Sequence, residues 1–65
     1  GKYEDAILKF NRVIELGVIN EGIYNSIGIS YEKLGKLQEA LSSYKKAIEI
    51  KHDFKEAEVN IKNIE

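Results

Sequence analysis

The residues of this 65-residue chain that could do chemistry are few, and their spacing argues against most of them. His52 stands beside Asp53, the sequence's one pairing of an imidazole with a carboxylate. A general base needs a nucleophile or substrate within reach, and a single His without any Cys builds no zinc site, so the pair reads as part of a solvated loop. Glu56 and Glu58 lie two apart, which on a helix turns their carboxyls in different directions and prevents them from flanking a substrate as acid and base. Ser42 and Ser43 have no neighbouring base to activate a hydroxyl. Gly1, Gly17, Gly22, Gly28 and Gly35 are spread too widely to form a phosphate-cradling loop. Lys45 and Lys46 share their segment with Glu39 and Glu49, the pattern of a solvated helix face. The expectation is no enzyme activity, no catalytic residue, no metal and no cofactor, which leaves binding through a surface.

Composition narrows what could bind. Ten Lys and Arg against eleven Asp and Glu give a net charge of −1, far from the basic balance of a nucleic-acid-binding domain. Charged residues are 32% and hydrophobic residues 43%, too apolar for a disordered chain. No apolar run approaches the roughly 20 residues of a membrane span, so membrane insertion is not expected. The absence of Cys excludes disulfides and is compatible with a cytoplasmic location, which is the expectation. A lone core of this length buries little, and the usual staples of a small domain are missing.

Periodicity places these residues on helices. With no Pro and many Ala, Leu, Ile, Glu and Lys, helix is the first expectation. Tyr3, Ala6, Ile7, Phe10, Val13 and Ile14 fall on one face of a first helix, and Gly17 stands where it closes. A second helix runs from about Asn20, a good N-cap, to Leu34, with Tyr24, Ile27, Gly28, Tyr31 and Leu34 on its stripe and Gly35 as its stop. The third begins near Leu37 and carries Ala40, Leu41, Tyr44, Ala47 and Ile48. Asp53 with Glu56 three residues later reads as an acidic capping box opening a fourth helix, with Ala57, Ile61 and Ile64 on its stripe. Short connections make neighbouring helices antiparallel.

The chain also repeats itself. Sliding it by 34 leaves 31 aligned pairs, of which six are identical: Gly1/Gly35, Lys2/Lys36, Ala6/Ala40, Ile14/Ile48, Glu15/Glu49 and Ile27/Ile61. Chance at ordinary composition would give roughly two. Tyr3/Leu37, Ile7/Leu41, Phe10/Tyr44 and Arg12/Lys46 are conservative besides. A helix–turn–helix period of 34 resembles the tetratricopeptide repeat. Residues 21–54 resemble one complete copy through Tyr24, Ile27-Gly28, Tyr31, Gly35, Ala40, Tyr44 and Ala47. Residues 1–20 resemble the second helix of a preceding copy, and 55–65 the first helix of a following one. In this pattern Gly28 and Ala40 are small where two helices of a copy cross, and Ala47 is small where the next copy packs. Departures are visible: His52 and Val18 replace the Pro that usually ends the second helix, and Glu58, Lys62 and Glu65 take two aromatic positions and the small one in the last helix. Pentatricopeptide repeats run one residue longer and favour a basic groove, and Sel1-like repeats are longer and richer in Gly; both fit less well.

The resemblance implies an all-α fold, four helices of an α-solenoid built from antiparallel helix-turn-helix repeats in a right-handed superhelix. It implies a protein–protein interaction scaffold whose first helices line a concave, peptide-binding face. On this chain that face comprises Asn25, Ser26, Ile29, Glu32, Lys33, Glu56, Val59, Asn60 and Asn63. Short amides and hydroxyls there can hydrogen-bond the backbone of an extended peptide. The clamp by which some members hold acidic C-terminal tails is not expected, because Ser26, Glu56 and Asn60 replace its Asn and two cations. An alternative is a structural spacer or self-assembly element packing through its open repeat ends, with Tyr3 and Ile64 on the outer faces. Because a repeat buries its apolar face only against neighbours, and the chain opens on Gly1 rather than Met, we expect either a piece of a longer array or a chain that completes itself by packing against other chains.

Overall fold

The apolar stripes become four helices in the computed structural model, which describes residues 1–65: α1 (Lys2–Glu15), α2 (Glu21–Lys33), α3 (Leu37–Ile50) and α4 (Lys55–Ile64). α2 and α3 form the principal pair, α1 packs on α2, and α4 packs on α3. The molecule is a slab of 27 × 25 × 14 Å, one helix layer deep on top of another.

Local sequence fixes the helix ends. At the end of α1 the Gly17 N–H donates to the Ile14 carbonyl at 2.9 Å and the Val18 N–H to the Val13 carbonyl at 3.2 Å. At the end of α2 the Gly35 N–H donates to the Glu32 carbonyl at 3.0 Å and the Lys36 N–H to the Tyr31 carbonyl at 2.9 Å. Both are Schellman closures, and both need the left-handed backbone that glycine adopts without a steric penalty, φ +98 at Gly17 and +77 at Gly35. α3 ends otherwise. Lys51, the repeat counterpart of Gly17, is extended at φ −132, ψ 104, and the chain turns through a Phe54 N–H bond to the Lys51 carbonyl at 3.2 Å.

Asn20 caps α2 as its residue type suggests, its Oδ1 accepting from the Ile23 N–H at 2.9 Å. Asn20→Ala is expected to cost about 1 kcal/mol, read as a lower urea midpoint, while Asn20→Asp retains most of the stability. The capping box expected from Asp53 and Glu56 does not form. α4 begins one residue later, with Phe54 at the N-cap and no side-chain cap bond. Asp53 therefore lies outside the helix, and Glu56 falls at its second position rather than the third, so the reciprocal bonds have no register in which to close. Glu56 and Glu58 still favour this end of α4 through its dipole.

The core is a layer of small residues around one ring. Ala40, Tyr44, Ala47 and Ala57 are all fully buried, and Tyr24, Tyr31, Ile48, Phe54, Ile61 and Ile64 pack against them. Ile7 and Ile27 are buried as well. Gly28 is small for a reason sharper than helix crossing: a Cβ on it would come within 2.5 Å of Tyr44 Cε1 and 2.6 Å of Cδ1. Ile64, expected on an outer face, packs inward against this cluster. The outward side of α4 carries exposed Glu58, Lys62 and Glu65.

Candidate functional site

Two helices of equivalent rank in the repeat, α2 and α4, lie side by side and leave an open groove between them. Its walls are Asn25 and Ile29 from α2, and Lys55, Glu56, Val59 and Asn60 from α4. The spacing explains the grouping, because Asn25/Ile29, Lys55/Val59 and Glu56/Asn60 are each four apart and so share a helix face. The groove holds ≈ 480 Å³, within the range of ligand sites. Its apolar floor is only Ile29 and Val59, 39% and 54% exposed, which suits a chain segment solvated on one side better than an enclosed small molecule.

One hydrogen bond joins the two walls. Asn60 Nδ2 donates to Asn25 Oδ1 at 3.0 Å, across 35 residues of sequence. An amide has two acceptor lone pairs on its oxygen and two donors on its nitrogen, so the bonded pair still offers the Asn60 oxygen as an acceptor and the Asn25 nitrogen as a donor. A free acceptor beside a free donor is the complement of the N–H and C=O of one residue in an extended strand, which point to the same side. Lys55 and Glu56 at the rim bring one charge of each sign and leave the groove near neutrality.

Of the residues expected on this face, Asn25, Ile29, Glu56, Val59 and Asn60 line the groove together. Ser26, Lys33 and Asn63 do not line it, nor does Glu32. Glu32 is turned to α3 instead, where its Oε1 accepts a 2.7 Å hydrogen bond from Tyr44 Oη. That bond anchors the one large side chain in the core whose exposure is zero. Burial, followed by the adjacent Glu32 carboxylate, pushes the Tyr44 phenol well above its usual value. Lys55 is the lining residue that sequence reasoning missed. It aligns with Glu21 at the start of its helix, a position read as boundary rather than face, and only the four-residue step to Val59 points to it. His52 and Asp53 are exposed in the turn before α4, away from the groove lining.

Antiparallel helix pairs repeating every 34 residues, with first-rank helices flanking an open groove, define a helical repeat protein. The family model for the tetratricopeptide repeat matches residues 23–58, more than half of the sequence. The chain belongs to the tetratricopeptide repeat family, a non-catalytic repeat that generally mediates protein–protein interaction. Comparison with curated proteins and with solved structures gave no significant match. No helix is long and apolar enough to cross a membrane.

Proposed function

We propose that the chain is a scaffold that holds an extended peptide segment of a protein partner in the α2–α4 groove. The observation that carries this reading is the Asn25–Asn60 pair, which presents one acceptor and one donor over an apolar floor. The N–H and C=O of one residue of the ligand bond the two amides, while the alternate side chains of an extended segment rest on Ile29 and Val59. Backbone recognition of this kind is tolerant of sequence, so specificity comes from the few residues at the rim. Lys55 and Glu56 favour a ligand with small or mixed charge.

Acidic C-terminal tails are poor ligands in this reading, since Glu56 stands in the groove wall and repels a terminal carboxylate. Peptides selected from a random library against the chain, followed by titration calorimetry, test the proposal. Each neutral hydrogen bond contributes about 0.5–1.5 kcal/mol, so Asn25→Ala and Asn60→Ala each weaken a selected peptide roughly two- to tenfold. Because the two amides act as a unit, the double substitution adds less than the sum of its parts. Binding indifferent to both substitutions, or submillimolar capture of a free acidic tail that is lost on Asn60→Ala, contradicts the proposal.

A further inference from the structure

The turn between α1 and α2 is apolar where its counterpart later in the chain is polar. Val18 and Ile19 are 51% and 56% exposed. His52 and Asp53 hold the same two positions 34 residues on. They are exposed as well, although first helices α2 and α4 flank their stretch of chain on either side. Exposure therefore belongs to the turn position itself, and the aliphatic side chains at 18 and 19 are not a helix face awaiting a neighbour.

The backbone at Ile19 is free too. The Val18 N–H donates to the Val13 carbonyl at 3.2 Å. The Asn20 carbonyl accepts from the Tyr24 N–H at 3.4 Å, and its Oδ1 from the Ile23 N–H at 2.9 Å. Between them the Ile19 N–H and C=O bond no group of the chain. The segment is non-helical here, and Asn20 is extended at φ −151, ψ 168.

We propose that this turn, presented by a second copy of the chain, is a ligand of the α2–α4 groove. The inference rests on the groove reading above and names its partner. The Asn60 acceptor and the Asn25 donor call for the N–H and C=O of one residue, and Ile19 offers both. Successive side chains of an extended segment point to opposite sides, so Val18 and Ile19 reach the two walls that carry Ile29 and Val59. Charge agrees. Residues 16–20 carry none, and Glu21, the first charge after them, complements Lys55 at the rim. The second turn does not fit, because Asp53 would bring a carboxylate into a groove whose wall holds Glu56. Turn and groove are different surfaces, so the contact is heterologous. Two hydrogen bonds and two aliphatic side chains make it a small contact of the transient class.

Sedimentation equilibrium of the full chain, from roughly 1 μM to 1 mM, covers the range of weak complexes. The weight-average mass is expected to climb above 7.4 kDa. Val18→His with Ile19→Asp gives the first turn the residues of the second, which the fold already accepts at those positions, and weakens association about tenfold or more. Asn25→Ala with Asn60→Ala spoils the groove and weakens it likewise. Each double variant stays near 7.4 kDa alone, while an equimolar mixture associates and stops at two copies, because one brings only a groove and the other only a turn. Apolar turns that merely cluster with one another would leave the groove variant associated and the mixture no better than its parts. An excess of a peptide selected for the groove returns the parent to 7.4 kDa, which keeps the test decisive if the groove substitutions disturb folding. The same peptide separates this inference from the reading beneath it. If the turn variant binds the peptide and self-associates as the parent does, the turn is not the ligand and the groove reading stands. If the groove variant keeps both the peptide and the association, both fall. A monomer throughout the range, or association indifferent to the peptide, overturns the proposal.

Discussion

Tyr44→Ala abolishes the cooperative fold. Tyr44 is the largest side chain with no exposure, and it shares its buried cluster with Ala40, Ala47 and Ala57 and lies against Gly28, none of which can extend into the space it leaves. Truncating a buried aromatic ring costs about 3–5 kcal/mol. A chain of 65 residues has only roughly 3–10 kcal/mol of total stability at ordinary values per residue, so the loss removes most of it. Circular dichroism during urea titration reads the outcome directly: a sigmoid for the parent and a shallow, non-cooperative slope for the variant. A well-defined transition in Tyr44→Ala, shifted by less than about 1 kcal/mol, would show that the alanine layer is not organised by the ring.

Tyr44→Phe separates the ring from its hydroxyl. The ring stays, while the 2.7 Å bond to Glu32 Oε1 is lost and a half-buried carboxylate keeps no partner there. A hydrogen bond to a charged group contributes about 1.5–3 kcal/mol, and partial hydration of Glu32 places this one near the lower end. The pH dependence has a definite sign. The folded phenol is raised above the unfolded value, by burial first and by Glu32 second. Its contribution is therefore complete below about pH 10, where both states hold the proton. Above that pH the unfolded chain releases the proton first and binds fewer protons than the folded chain. Stability then falls by about 1.4 kcal/mol per pH unit until the folded phenol itself ionises. The stability gap between the parent and Tyr44→Phe narrows from pH 10 upward, because the variant has no proton to lose at this site.

How much of this was legible before the fold was seen follows from the reach of each signal. The four helices were, because the apolar steps of three and four act within one turn, and the cap at Asn20 and the closures at Gly17 and Gly35 act within five residues. The start of α4 was not. Asp53 has a capping residue's chemistry, yet the Phe54 bond to Lys51 tightens the turn and moves the helix on by one. On the groove face, Asn25, Ile29, Glu56, Val59 and Asn60 share lining that their four-residue spacing brings together. Glu32 could not be separated from them by spacing, because what draws it away is a hydroxyl on another helix, twelve residues further on. The inward packing of Ile64 and the ring against Gly28 are likewise contacts between elements, which a pattern along one helix does not encode.

Gly28→Ala destabilises the chain even though it improves the helix. In an exposed helix interior the exchange of Gly for Ala gains about 1 kcal/mol. Here the new methyl would lie 2.5 Å from Tyr44 Cε1, 2.6 Å from Cδ1 and 3.0 Å from Cζ. The ring cannot swing aside easily, since it is fully buried and its hydroxyl is tied to Glu32. Overpacking of this kind costs about 1–3 kcal/mol, and this overlap belongs at the upper end, leaving a net loss near 2 kcal/mol. The control is Lys62, which holds the same repeat position on α4 but faces solvent. Lys62→Ala changes stability by less than about 0.5 kcal/mol, and Lys62→Gly loses roughly the propensity difference of 1 kcal/mol. Glycine is thus favoured at 28 and disfavoured at 62, and the difference is the ring. A double-mutant cycle makes the dependence explicit. In Tyr44→Phe the tether is gone and the ring can give by a few tenths of an ångström, so Gly28→Ala costs less there, with a coupling of about 0.5–1 kcal/mol. Additive effects of the two substitutions would mean that the ring position is set by the alanine layer alone and that the Glu32 bond does not hold it in place.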